Sequence, residues 1–196
     1  MTTRHLDLGC GARPRNPYGR DELHGIDLAP RHEPGAFEVR RANLALEPIP
    51  YPDDHFDSVS AYDFLEHVPR VLPPADGRDT RFPFVELMNE VWRVLSPGGL
   101  LYAYTPCYPH PMAFKDPTHV NILTRDSHEY FTRPRFTARM YGFKGDFSIV
   151  RVMPALVAEH EYEPRQIPGW YAKYRLRRRE RRHENTHVVW ELAAHK

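Results

Sequence analysis

With 196 residues, 41% of them hydrophobic, the chain has the length and apolar content to bury the core of one domain, and we expect a single domain over 1–196. No apolar run approaches the length needed to span a bilayer, and the opening MTTRHLDLGCG has no basic leader, so a membrane protein is excluded and a soluble, cytoplasmic one is expected. Two cysteines, Cys10 and Cys107, are too few and too far apart for a disulfide framework or a thiolate zinc site. The formal charge of +1 hides an uneven distribution: Arg165 to Arg182 carries eight Lys or Arg against one Glu, leaving 19 basic and 25 acidic side chains elsewhere.

In chain order, His5 to Leu8 reads as a short buried strand ended by Gly9-Cys10-Gly11, and Leu23 to Leu28 as a second, with Asp27 near its end. Phe37 to Arg41 is a third and Asp57 to Tyr62 a fourth, followed by a helical stretch from Phe64 to Val68 and a proline-rich loop over 69–82. The strongest helix is Pro83 to Leu95, where Phe84, Leu87, Met88, Val91, Trp92 and Leu95 form one apolar stripe. Ser96-Pro97-Gly98-Gly99 should stop it. Leu100 to Tyr104, Phe147 to Val157 and His187 to Ala194 complete seven strands. Strands alternating with helices predict an α/β fold, a doubly wound, Rossmann-like, mostly parallel sheet. Ligands of such sheets sit outside the carboxyl ends of the strands.

The glycines after the first strand let the backbone approach a ligand, and an acidic residue ending the second strand can accept both hydroxyls of a ribose. Gly9, Gly11 and Asp27 supply that pattern, Asp27 lying 18 residues beyond Gly9. A nicotinamide dinucleotide also needs a helix start directly after the glycines to hold its pyrophosphate. Here ARPRNPYGRDEL carries Pro14 and Pro17, and the third glycine of GxGxxG is missing. S-adenosylmethionine has no phosphate and is the better fit.

LDLGCG, HGIDLAP, PIPYPDDHFDSVSAYDFLEHV and EVWRVLSPGGLLYAYTP closely resemble, in order and spacing, the motifs of the type 11 branch of class I S-adenosylmethionine-dependent methyltransferases, over roughly residues 5–106. The resemblance implies that Asp7 contacts the methionyl ammonium, Gly9 and Gly11 pass beneath the methionine part, and Asp27 binds the ribose. It also implies that Asn43 and Leu44 lie beside the adenine, Asn43 in place of the commoner Asp, and that Tyr62 lies near the methionine moiety. It implies a seventh strand antiparallel to the others, so that the connection before it emerges on the cofactor side. Insertions at about 69–82, 106–130 and 158–186 then belong to the substrate side.

Asp63, Glu66 and His67 are spaced to share one face of a helix. They resemble a motif of ubiquinone-biosynthesis O-methyltransferases in which two acidic residues and a histidine hold a divalent metal. LEHV is common in the branch without a metal, and no metal is expected. In TPCYPHPMAFKDPTHVNILTRDSHEYF, which resembles a segment lying over the catalytic centre in small bacterial methyltransferases, His110, Asp116 and His119 are the candidate catalytic residues. Histidine titrates near neutral pH and a carboxylate can orient it. A turn at Asp116-Pro117-Thr118 with His119 packed beside it is the structural alternative.

The expected activity is methyl transfer to an O or N atom of a small, anionic or sugar-like metabolite. The mixture of arginines and aromatics in PGWYAKYRLRRRERRH also suits an RNA-directed enzyme, which is the alternative, along with a non-catalytic cofactor-binding protein. No recognisable RNA-binding domain and no NPPY-type motif favour the nucleic-acid reading. The oligomeric state is not encoded in any motif.

Overall fold

The computed structural model describes residues 2–30, 37–74, 76–157 and 169–196. Seven strands form one sheet: β1 (Arg4–Leu8), β2 (Glu22–Asp27), β3 (Glu38–Arg41), β4 (Phe56–Tyr62), β5 (Leu95–Pro106), β6 (Phe147–Ala155) and β7 (His187–Ala194). Their spatial order is β3-β2-β1-β4-β5-β7-β6. The pairs within β1 to β5 are parallel, and β7 lies antiparallel between β5 and β6. This is the expected Rossmann-like α/β fold, and the amino end of β7 lies at the carboxyl edge of the parallel strands. Among the described residues, no helix is long and apolar enough to cross a membrane.

Strand side chains alternate between faces, and the two faces of this sheet differ in chemistry. Leu6 and Leu8, Val59 and Ala61, Leu101 and Ala103, and Val188, Trp190 and Leu192 turn to one side and form the main core. Onto it packs α1 (Pro83–Val94), begun by a proline in its first turn, through Phe84, Val85, Leu87, Met88, Val91 and Val94. Met88 is fully buried, so its truncation to Ala would cost roughly 2–5 kcal/mol.

The other face carries His5, Asp7, Ser58, Ser60, Tyr62, Tyr102, Tyr104 and Glu191, all buried. Among the described residues, no helical one belongs to its apolar cluster of Tyr62, Tyr102, Tyr104, Ala155 and Val189. The β1–β2 connection covers it as a strap of turns. Tyr18 meets Tyr102 edge-on at 6.5 Å and its hydroxyl donates to Glu191 Oε1 at 2.8 Å. Arg151 pairs with Glu191 at 2.8 Å. Pro14 and Pro17 explain why this connection is not a helix.

One expected boundary is corrected. Ser96-Pro97-Gly98-Gly99 does not separate helix from strand: α1 ends at Val94, and β5 begins at once because Leu95 pairs with Phe56. The next pair is Ser58 with Leu100, so the four residues form a wide bulge inside β5, with Gly98 at φ +77°.

Candidate active site

At the end of β1 the chain makes the tight turn that the glycines allow. Gly9 and Gly11 have φ of +66° and +60°, and a Cβ on Gly9 would come within 2.5 Å of the Phe64 ring. The amides of Gly9 and Cys10 both donate to Ile26 O, at 2.8 and 3.1 Å, which ties the turn to β2. Asp27 ends β2, its two carboxylate oxygens accepting from Gly11 N and Ala29 N at 2.9 Å each. The turn therefore fixes the Asp27 carboxylate at the end of β2, and each of its oxygens keeps a further lone pair with which a ligand hydroxyl can bond.

Asp7 lies beneath this turn, accepting from Ser60 Oγ at 2.6 Å and Arg15 N at 2.8 Å. Burial pushes its carboxyl up to about 7, against the opposing pull of those two hydrogen bonds. Behind it, His5 bridges Ser58 Oγ and Ser60 Oγ at 2.8 Å each, and burial depresses it to about 3, so the ring is neutral. Because the Ser60 hydroxyl proton goes to Asp7, His5 Nε2 must donate to Ser60 and Nδ1 must accept from Ser58. The result is a directed chain ending on the Asp7 carboxylate. Beside it the Arg15 guanidinium lies 4.6 Å over the Tyr62 ring.

These groups fit S-adenosylmethionine. A turn without Cβ at Gly9, an acidic group at the end of β2 and a buried carboxylate under a tyrosine match its backbone-hugging methionine, its ribose and its ammonium. Asn43 is partly buried, with its amide oxygen accepting from Ala45 N at 3.2 Å, and Leu44 is packed into the main core. A cleft of about 450 Å³ between residues 44–48 and α1 lies on the helix side of the sheet and contains none of the predicted catalytic residues.

A second cavity, of about 440 Å³, opens at the carboxyl ends of β4 and β5, with Asp63, Glu66, Met112, Lys115, Asp116, His119 and His187 in its wall. The expected helix at Phe64 to Val68 is only a 3-10 turn, Leu65–His67. Asp63 precedes it at φ +48° and turns its carboxylate to His187 Nε2, 2.9 Å away. Asp63, Glu66 and His67 consequently do not share a helical face. Glu66 points inward, 2% exposed, and Oε2 accepts from Thr105 Oγ1 at 2.9 Å. Burial raises its carboxyl to about 7. The amides of Val120 and Asn121 donate to the Glu66 carbonyl at 2.9 Å, holding the insertion that carries His119 against the end of β4. Arg70, from the 69–82 insertion, braces the same segment through Asn121 Oδ1 and Ile122 O.

The candidate catalytic residues are divided by the structure. His119 lies in the cavity wall with Nε2 4.0 Å from Glu66 Oε1. His110 belongs to a separate shallow depression beside α2 (Met112–Lys115), its Nδ1 accepting from Met112 N at 3.1 Å. Asp116 forms an Asx turn, accepting from Thr118 N at 2.8 Å and Thr118 Oγ1 at 2.7 Å, and these bonds hold its carboxyl below the ordinary range. His187 escaped sequence reasoning. The signal was a titratable residue opening the one antiparallel strand, whose amino end had to fall at the ligand edge.

In the Arg-rich segment, residues 165–168 lie outside the described residues, and α3 (Trp170–Arg181) exposes Trp170, Tyr171, Tyr174, Arg175, Arg177 and Arg178. Glu180 of α3 pairs with Arg125. Those two residues and His187 line a further cavity of about 350 Å³, so His187 separates the Arg-rich helix from the acceptor cavity.

Comparison with known proteins agrees with this arrangement. A methyltransferase-domain family model, type 11, matches residues 6–103, half of the chain. The fold is similar to that in the Haloferax volcanii complex of the Trm112 methyltransferase activator with a methyltransferase, at 14% identity and a TM-score of 0.61, covering 100% of this chain and 84% of that one. It is also similar to S-adenosylmethionine-dependent methyltransferases from Mesorhizobium loti (16% identity, TM-score 0.53, 98% and 91% covered) and Archaeoglobus fulgidus (15%, 0.54, 98% and 86%). Among curated proteins, none matches the sequence. The chain belongs to the type 11 branch of the class I S-adenosylmethionine-dependent methyltransferases.

Proposed function

We propose that the enzyme methylates an O or N atom of a small, anionic or sugar-like metabolite held in the cavity at the carboxyl ends of β4 and β5. The observation that carries this reading is the placement of His119, Glu66, Asp63 and His187 around one cavity at the carboxyl edge of the sheet. Asp7, Gly9, Gly11, Asp27 and Tyr62 hold the cofactor in this reading, with Asn43 and Leu44 toward the adenine.

When bound, S-adenosylmethionine supplies an electrophilic methyl group. What remains for the protein is to hold the acceptor atom near attack distance, exclude water and take up the acceptor's proton. His119 is the residue we assign to that acceptor atom. It is shielded from bulk water and backed by the Glu66 carboxyl, so a proton taken from the acceptor has a buried group to share it. Lys115 supplies the cavity wall with a cation for an anionic acceptor. Asp116 is engaged by Thr118 and His110 lies outside the cavity, so the acceptor's proton is assigned to neither.

The exposed aromatics and arginines of α3 support the second reading, an RNA acceptor reached through phosphate contacts and stacking. Calorimetric titration with S-adenosylhomocysteine, followed by a methyl-transfer screen of sugars, phosphorylated metabolites and total RNA, tests both. Methylation of small molecules that falls about 10²- to 10⁴-fold in kcat on His119→Ala is expected. Methyl label appearing only in RNA would overturn the small-molecule reading.

A further inference from the structure

One feature of the cavity wall is unexplained by methyl transfer alone. Glu66, His67 and His119 each bring a ligand atom to within 4.8 Å of the others. Glu66 Oε1 is buried and has no hydrogen-bond partner among the described residues, with the residue only 2% exposed.

The hydrogen bonds around the two rings decide which nitrogens are free. The Thr118 hydroxyl proton is spent on Asp116 Oδ1, so at 3.0 Å its oxygen can only accept from His67 Nδ1, and Thr118 O at 3.3 Å can only accept as well. His119 Nδ1 faces Ala113 O at 3.3 Å, another acceptor. Both imidazoles therefore hold a proton on Nδ1, which leaves Nε2 as the nitrogen that can ligate an ion when the ring is neutral. For His119 that nitrogen lies 4.0 Å from Glu66 Oε1, too far for a hydrogen bond, so both atoms can turn to one ion between them. Metal-binding histidines are fixed in this way, with the distal N–H given to a carbonyl or hydroxyl. Asp63 and Asp116 add negative charge around Glu66.

We infer that Glu66, His67 and His119 form a binding site for a divalent transition-metal ion at the wall of the acceptor cavity. Two imidazole nitrogens and one carboxylate suit a borderline ion of the Zn²⁺ type better than Mg²⁺ or Ca²⁺, which prefer all-oxygen sites. The set differs from the Asp63, Glu66 and His67 triplet of the resemblance: Asp63 is committed to His187, and His119 arrives from a segment 53 positions beyond Glu66, pinned by the bonds from Val120 and Asn121 to the Glu66 carbonyl. Thr118 and Asp116 acquire a role as the outer support of His67. The inference rests on the methyltransferase reading of this cavity; with an ion bound, His119 Nε2 is a ligand, so His119 takes up the acceptor's proton only in the ion-free chain and otherwise acts on the acceptor through the ion.

The test is titration of the chelator-stripped, full-length protein with Zn²⁺ by calorimetry and with Co²⁺ by visible absorption, with S-adenosylhomocysteine affinity measured on the same samples. One ion per chain is expected, with Co²⁺ bands of a site containing imidazole. His119→Ala, His67→Ala and Glu66→Gln should each weaken ion binding at least ten-fold while S-adenosylhomocysteine binding persists, and Thr118→Val should weaken it less. Absence of a stoichiometric ion on the wild-type chain overturns the inference, as does binding that survives both Glu66→Gln and His119→Ala. Should a variant fail to fold, the wild-type Co²⁺ bands decide: none means no site. Failure of the methyltransferase reading would appear separately, as loss of S-adenosylhomocysteine binding by the wild-type chain.

Discussion

His187 Nε2 lies 2.9 Å from Asp63 Oδ1, joining the first residue of β7 to the residue that follows β4, 124 positions earlier in the chain. The ring is 3% exposed and stacks on Tyr104 at 4.4 Å with its other nitrogen against Thr186 Oγ1. Replacing it removes a buried hydrogen bond to a carboxylate and leaves a void over Tyr104. His187→Ala is expected to lower unfolding free energy by roughly 2–4 kcal/mol, read as a shift in the urea midpoint at unchanged slope. A midpoint within error of the wild type would mean the pair does not anchor β7.

The glycine turn allows a sharper test of cofactor identity. Gly9→Ala places a Cβ in the left-handed region and 2.5 Å from the Phe64 ring, so the turn must shift. Asp27→Ala removes the proposed acceptor of the ribose hydroxyls together with the bonds from Gly11 N and Ala29 N, and is expected to cost roughly 1.5–3 kcal/mol in S-adenosylhomocysteine binding. Calorimetry should show both losses and no saturable binding of NAD to the wild type. Unchanged affinity in Asp27→Ala would remove Asp27 from the ribose site.

Asp7 should make cofactor binding pH-dependent. Its carboxyl is held near 7 by burial, and a bound ammonium favours the ionised form, so below pH 7 binding must first expel a proton. Affinity for S-adenosylhomocysteine is expected to rise about ten-fold per pH unit up to about 7 and then level off. In the free protein the sign reverses. The folded value exceeds the ordinary 3.8, so the native state holds the extra proton between those values, and this group lowers stability as pH rises through that window. Asp7→Asn should bind more weakly and without the slope. A slope that survives the substitution would place the titrating group elsewhere.

The α3 arginines should act on the acceptor and not on the cofactor. Replacing Arg177, Arg178 and Arg179 with Ala is expected to raise the KM for an anionic acceptor several-fold and flatten its salt dependence, with S-adenosylhomocysteine affinity unchanged. Steady-state kinetics at two ionic strengths distinguish this from a solvated helix, which would leave KM unchanged.

Strands were legible because their signals are local: a short buried run ended by glycines placed β1 at His5 to Leu8, and β7 runs from His187 to Ala194 as its pattern predicts. The cofactor turn was legible for the same reason, since glycine at positive φ and an acidic strand end are short-range requirements. Two features were not. Leu95 joins β5 because of its partner Phe56, a long-range pairing that Ser96-Pro97-Gly98-Gly99 disguises as a stop. The acceptor side was read along a helix that does not form: the positive φ of Asp63 breaks the i, i+4 relation, and the true neighbours of Glu66 come from 53 residues onward at His119 and from Thr105 on the adjacent strand.

The strap from Gly9 to Asp21 has a consequence for how the molecule opens. It covers a face of hydroxyls, imidazole and carboxylates, so lifting it exposes groups that water solvates well, where an aliphatic face would have invited aggregation. Its first residues are also the cofactor turn, and the bond from Tyr18 to Glu191 holds its far end across the same face, on β7. Backbone amides of this stretch should therefore exchange with solvent far faster than those of β4 or β5 in the free protein, and slow together when ligand arrives. Cofactor capture and the closing of one whole side of the sheet become a single cooperative event.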